Sequence, residues 1–164
     1  MKKEISTALN QHINVELESA YLYLSMASDC HAKDLPGCAH WLECQAKEEL
    51  EHVRRLYNYL LQRGERVLLE GIPKPKQAWP SIQAIFEAAL AHEKMVTQRI
   101  NQLVSLAREK QDYATEQFLQ WFVSEQVEEE ANAHAVVIQV SRAKDSSALL
   151  WLDNELKQRT LSQG

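Results

Sequence analysis

GERVLLEGIPKPKQAWP, residues 64–80, contains Gly64, Gly71, Pro73, Pro75 and Pro80, in a chain with only four glycines and four prolines. A regular helix does not pass through such a stretch. Extended at up to ~3.3 Å per residue, the stretch is long enough to run the length of a long helix. On both sides the sequence is periodic over long segments, about 6–33, 37–63, 81–110 and 113–143, with a short one near 147–160. Only brief turns separate the rest. Asp34-Leu35-Pro36-Gly37 places Pro36 at the start of a helix, Gln111-Asp112 offers Asp112 as an N-cap, and Asp145-Ser146-Ser147 offers another break. Helices of nearly thirty residues would be about 42 Å long at ~1.5 Å per residue. The short turns near 35 and 111 allow only antiparallel neighbours, and the long connection makes the second and third helices parallel. The expected fold is all-α: two antiparallel hairpins joined by one long crossover. This gives a four-helix bundle over about 6–143 plus a short fifth helix, in one domain spanning 1–164.

Composition narrows the function. The 164 residues are 45% hydrophobic, enough for a substantial core and too many for a disordered chain. So few glycines and prolines do not supply the turns of a β-sandwich. A net charge of −5 disfavours nucleic acid as a partner and favours cations. No apolar run approaches the ~18 residues of a membrane helix, and the N-terminus turns acidic before any apolar leader. Cys30, Cys38 and Cys44 form no CxxC pair and read as free thiols. A soluble cytoplasmic protein, binding neither membrane nor nucleic acid, is expected.

Each long segment carries apolar residues at alternating spacings of three and four, the seam of a bundle helix. The seams read Leu9, Ile13, Glu16, Ala20, Tyr23; then Leu42, Gln45, Glu49, His52, Leu56; then Phe86, Ala89, Glu93, Val96, Ile100; and Phe122, Gln126, Glu129, Ala133, Val136. One carboxylate interrupts every seam: Glu16, Glu49, Glu93 and Glu129. Glu93 and Glu129 lie equally far from the turn near 111. Glu16 and Glu49 differ by about one helical turn, which tilt and long side chains absorb. The four should converge at mid-bundle.

Alone, each would read as a partnered or boundary Glu. Together they offer each other only repulsion, and no Lys or Arg interrupts the seams. A buried unpaired charge costs several kcal/mol, and two divalent cations would cancel four carboxylates. Glu49-x-x-His52 sets a carboxylate and an imidazole one turn apart on one face, where Glu49 could bridge two ions. One His among oxygens, with no thiolate on the seam, suits iron or manganese better than structural zinc. Tyr23, two turns from Glu16, reads either as a hydrogen-bonding or electron-supplying partner of the site or as a core tyrosine with a satisfied hydroxyl.

The ordered set Asn14-Val15-Glu16, Glu48-Glu49-Leu50-Glu51-His52, His92-Glu93 and Trp121 through Glu130 resembles the non-haem ferritins of bacteria and archaea, and the resemblance covers essentially the whole chain. It implies a ferroxidase with a di-iron Fe(II)/Fe(III) centre, oxidising ferrous iron with dioxygen or hydrogen peroxide and storing a ferric mineral in a shell of 24 identical subunits. It implies an A position from Glu16, Glu49 and His52 with Gln126 close by, and a B position from Glu49, Glu93 and Glu129. A third position would use Glu48, Glu125, Glu128 and Glu129, although by spacing alone Glu125 and Glu128 fit a solvated face. No haem is implied, because Leu50 stands where bacterioferritins carry their haem methionine. Glu116 matches one of two acidic residues lining the entry channel of vertebrate ferritins, but Leu119 stands at the other. Two further readings remain open from the residues: a di-iron oxidase acting on an organic substrate, and a non-catalytic metal-binding scaffold. His12, His31, His40, His92 and His134 lie off the seams or lack a second ligand and read as surface or packing residues.

Overall fold

A computed structural model gives the fold and describes residues 1–161. It contains α1 (Lys3–Ala32), α2 (Pro36–Gln62), α3 (Ile82–Glu109), α4 (Tyr113–Arg142) and α5 (Ser146–Leu156), with no strand among the described residues. α1 packs along α2, α3 along α4, and α1 against α3, while α2 and α4 bring no Cα pair within 8 Å of each other. The bundle is therefore closed on three sides and wide between α2 and α4.

The crossover is pinned to α1 by polar side chains spaced along it. Ser6 donates to Glu65, and Asn10 donates to the Arg66 carbonyl and accepts from the Leu68 amide. Asn14 accepts from the Glu70 amide, Ser25 donates to the Lys76 carbonyl, and Asp29 accepts from the Trp79 amide. The partners advance together, so the crossover runs parallel to α1 and delivers the chain to the far end of the bundle. This fixes α3 parallel to α2, as the breaker-rich stretch requires.

Three helices end in the same way. The amides of Leu35, Glu65 and Asp112 reach back to the carbonyls of Cys30, Leu60 and Ala107. The residue before each amide has positive φ: Asp34 at 57°, Gly64 at 73° and Gln111 at 56°. This is the Schellman closure, which satisfies the last orphan carbonyls of a helix. The later helices start on side-chain caps: Ser81 accepts from the Ala84 amide, Asp112 from Thr115 and Asp145 from Ala148. α2 is capped from a distance instead. Asp153, buried on α5, accepts from the amides of Gly37 and Cys38 at 3.0 and 2.8 Å, which docks α5 onto the start of α2.

The apolar core is divided in two. One cluster joins Tyr23–Cys30, Cys38–Ala46, Ile85–Ala89 and Ala133–Val140, and the other joins Ile5–Val15, Leu56–Leu60, Val96–Ala107 and Leu119–Phe122. On every long helix the gap between the two clusters contains its seam carboxylate: Glu16, Glu49, Glu93 and Glu129. The two cores bracket one polar layer and hold its side chains from above and below.

Candidate metal centre

Four helices each deliver a carboxylate into this layer, and all four are inaccessible: Glu16 0%, Glu49 1%, Glu93 1% and Glu129 3% exposed. Glu16, Glu49 and His52 present donor atoms within 4.8 Å of one another. The expected offset of one turn between α1 and α2 is thus taken up by side-chain reach. His52 Nδ1 lies 3.2 Å from Glu49, and the ring packs edge-on against Trp121 and Phe122. Glu93 accepts from the Tyr23 hydroxyl and from Gln126 Nε2, the latter at 3.1 Å. Glu129 accepts from Gln45 Nε2 at 2.8 Å. Among the described residues, the ion pairs of these four carboxylates reach only His12 and His52, never Lys or Arg.

Protonation shows the strain of this arrangement. Burial and the charge of Glu16 push Glu49 well above the carboxylate range, with Glu93 and Glu129 adding to the effect. Burial alone would raise Glu16 too, but the charges of His12 and His52 and the carboxyl of Glu49 bring it down to about 2. The two behave as a pair in which Glu49 keeps the proton. Burial raises Glu93 to about 7 against the hydrogen bonds from Tyr23 and Gln126. Burial and Glu93 raise Glu129 to about 8. Desolvation and Glu93 also drive Tyr23 well above an ordinary phenol, so it stays a neutral donor. Without a cation, protons occupy a site built for positive charge.

The donor set fits metal on an independent observation. Both Glu16 oxygens, fully buried, have no well-directed hydrogen-bond partner, although His12 Nε2 approaches one of them to 3.1 Å. A carboxylate left unsatisfied in a buried layer beside an imidazole is what a cation with mixed oxygen and nitrogen ligands completes.

The residues assigned to a third position are spread more loosely. His52, Glu125 and Glu129 bring donor atoms within 4.8 Å of one another, with Glu125 half-buried. Glu128 is exposed. Glu48 is buried and forms an ion pair with Arg159 at 2.5 Å. A cavity of about 420 Å³ opens here on the α2–α4 side, lined by Glu48, Glu51, His52, Arg55, Trp121 and Glu125 among others. Glu116 pairs with Arg108 at 2.7 Å and Leu119 is fully buried, so this corner of the chain presents no pair of free acidic groups.

One expectation is overturned, and the expected packing role of His92 is given its partners. His12 is 3% exposed and touches Glu16, so it is part of the polar layer rather than a surface or packing residue. Its position four residues before Glu16 carried the signal, since i and i+4 share a helix face. His92 is half-buried and bonds Ser19 at 2.7 Å, with Tyr23 edge-on to its ring at 5.8 Å. Gln45 was visible only as a polar seam residue, and Arg159, at the end of the segment expected near 147–160 but past the end of α5, gave no signal of a role at the layer.

Comparison with known proteins agrees with this geometry. The Ferritin-like domain family matches residues 6–143. The bacterial non-heme ferritin of Staphylococcus saprophyticus is 40% identical over 164 residues, covering 99% of this chain and 98% of its own. That of Escherichia coli O157:H7 is 36% identical, covering 95% of each. Among solved structures, an open pore ferritin from the archaeon Archaeoglobus fulgidus superposes with a TM-score of 0.96 at 43% identity, covering 98% of this chain and 99% of the other. A form of the A. fulgidus ferritin engineered to be closed gives 0.97 at 43%, covering 99% of each.

Proposed function

This chain belongs to the ferritin-like family, and from that membership we propose that it is an iron-storage ferritin with ferroxidase activity. The observation that carries this reading is the buried group Glu16, Glu49 and His52, with neither Glu16 oxygen in a well-directed hydrogen bond and, among the described residues, no Lys or Arg ion-paired to the four carboxylates. Iron is the substrate. Glu16, Glu49 and His52 hold one Fe(II), and Glu49, Glu93 and Glu129 hold a second, with Glu49 shared. Each Fe(II) gives up one electron, and the acceptor, dioxygen or hydrogen peroxide, takes up electrons and protons. The carboxylates supply negative charge where the ferric ions develop it, in a water-poor layer where such stabilisation is strong. Tyr23 and Gln126 hold Glu93, and Gln45 holds Glu129, so the ligands are oriented before iron arrives.

The ferric product leaves toward the α2–α4 side, where the cavity meets His52 and Glu125. It collects inside a shell of 24 copies. Apolar side chains left exposed on α1, α2 and the crossover, including Tyr21, Leu24, Tyr57, Leu61, Leu69 and Ile72, support assembly, as do Leu150 and Trp151 on α5. No described helix is long and apolar enough to cross a membrane. Three free, buried cysteines suit a reducing cytoplasm.

Aerobic addition of Fe(II) tests the activity: ferric absorbance should rise in a fast phase well above the protein-free rate. Glu49→Ala and His52→Ala should each slow that phase by ~10-fold or more. A rate equal to the protein-free control rejects the ferroxidase reading.

A further inference from the structure

Arg159, three residues past the end of α5, lies on the α2 side of the polar layer. Its side chain is 13% exposed. One guanidinium nitrogen donates to the Trp41 carbonyl at 3.1 Å, and the plane stacks over the Trp41 ring at 4.2 Å. The other donates to Glu48 Oε2 at 2.5 Å and to Gln45 Oε1. His40 holds the Arg159 carbonyl at 2.9 Å, anchoring the segment to the same helix. With its carbonyl oxygen engaged by Arg159, the Gln45 amide must turn its nitrogen toward Glu129, to which it donates at 2.8 Å. One cation from the tail thus neutralises Glu48 directly and holds one oxygen of Glu129 through Gln45.

Glu48 and Glu129 are two of the four carboxylates assigned to the third iron position. A guanidinium already seated on one and tethered to the other fills the electrostatic role of a metal ion there. A divalent cation bound beside it would be repelled at close range in a partly buried setting. It would also find Gln45 presenting N–H groups, which are not metal ligands.

We propose that Arg159 is a built-in counter-cation of the third iron position: a metal ion gains Glu48 and the second oxygen of Glu129 only by displacing Arg159. The tail thereby sets how weakly that position holds iron and how readily ions pass between the paired site and the α2–α4 face. Its role is positioning, because it acts through Glu48, Gln45 and Glu129. The inference rests on the ferritin reading of the paired site.

The test is anaerobic titration of the metal-free full-length protein with Co(II), read by visible absorption and by calorimetry. The unaltered protein should take up two ions per chain tightly and a third weakly. Arg159→Gln should tighten the third ion at least tenfold, and Arg159→Lys, which keeps the charge, should leave the third weak. In the unaltered protein, the third ion should also perturb tryptophan emission by lifting Arg159 off Trp41, and Trp41→Phe should abolish that component. This fluorescence readout does not depend on whether Arg159→Gln folds. A third-ion affinity unchanged or weakened in Arg159→Gln overturns the proposal, as does third-ion binding without a Trp41 signal. Absence of the two tight ions in the unaltered protein would instead overturn the reading of the paired site.

Discussion

Glu49 sits at the centre of the layer, feels the charge of Glu16, Glu93 and Glu129, and keeps its proton when no metal is present. An amide is close to isosteric with a protonated carboxyl, so Glu49→Gln removes an ionisable group that the metal-free protein hardly uses. The expected outcome is a metal-free variant at least as heat-stable as the parent, in which Zn(II) no longer raises the melting temperature by the parent's increment. Calorimetry of both forms with and without Zn(II) checks this, and a large loss of metal-free stability would mean that Glu49 is ionised at rest. The four seam carboxylates were legible because a charged residue at an apolar position is a physical anomaly visible in one dimension. His12 was less so, since it lies on the same face as Glu16 but off the strict seam. Arg159 was invisible, because its value comes from where α5 docks and not from any period of its own.

At the level of helices, the ends are where sequence and structure can still be improved or broken. Gln111 closes α3 at a φ of 56°, a left-handed conformation that costs a residue with a Cβ roughly 1 kcal/mol. Gln111→Gly should therefore stabilise the chain by about 0.5–1 kcal/mol, even after the greater flexibility of the unfolded glycine is counted, and denaturant unfolding measures it. Gly37 is the opposite case. A Cβ there would lie 1.7 Å from the Asp153 carbonyl oxygen, which is backbone and cannot step aside. Gly37→Ala should expel α5 from the start of α2, remove the Asp153 cap and destabilise the protein by roughly 3 kcal/mol or more. Faster amide exchange at Gly37, Cys38 and the α5 residues would localise the loss. Helix boundaries were readable to within a few residues, because Pro36, the 64–80 stretch, Asp112 and Asp145 mark them chemically. α1 begins at Lys3, a few residues earlier than the periodic segment, because Ile5 already packs into the apolar core and Glu4 suits the first turn of the helix. The Asp153 cap was not readable, since it joins residues more than a hundred positions apart.

The whole molecule consists of two apolar cores held apart by a layer that favours either protons or metal, so its stability should depend on pH in opposite senses in the two states. In the metal-free fold, Glu93 and Glu129 hold protons up to about 7 and about 8, and burial with the neighbouring carboxylates raises Glu49 too, whereas in the unfolded chain they release them near the ordinary glutamate value of 4.5. Between these limits the folded state binds more protons than the unfolded one. The slope of unfolding free energy with pH is then negative, and stability present near pH 4.5 is lost as the pH rises toward about 8. Glu16 works the other way only at lower pH, between about 2 and 4.5, because its folded value is depressed. A tenfold change in proton affinity is worth ~1.4 kcal/mol, so several kcal/mol are at stake across the layer. Metal reverses the sign, because binding releases the protons and tightens as they become easier to remove. Calorimetry at pH 5.5 and pH 8 should therefore show the metal-free protein melting lower at the higher pH. The melting increment produced by saturating Zn(II), a redox-inert stand-in for Fe(II), should grow from the lower pH to the higher. A metal-free melting temperature that climbs over this interval would mean the carboxylates are already ionised in the fold, and the layer would then need some source of positive charge other than iron.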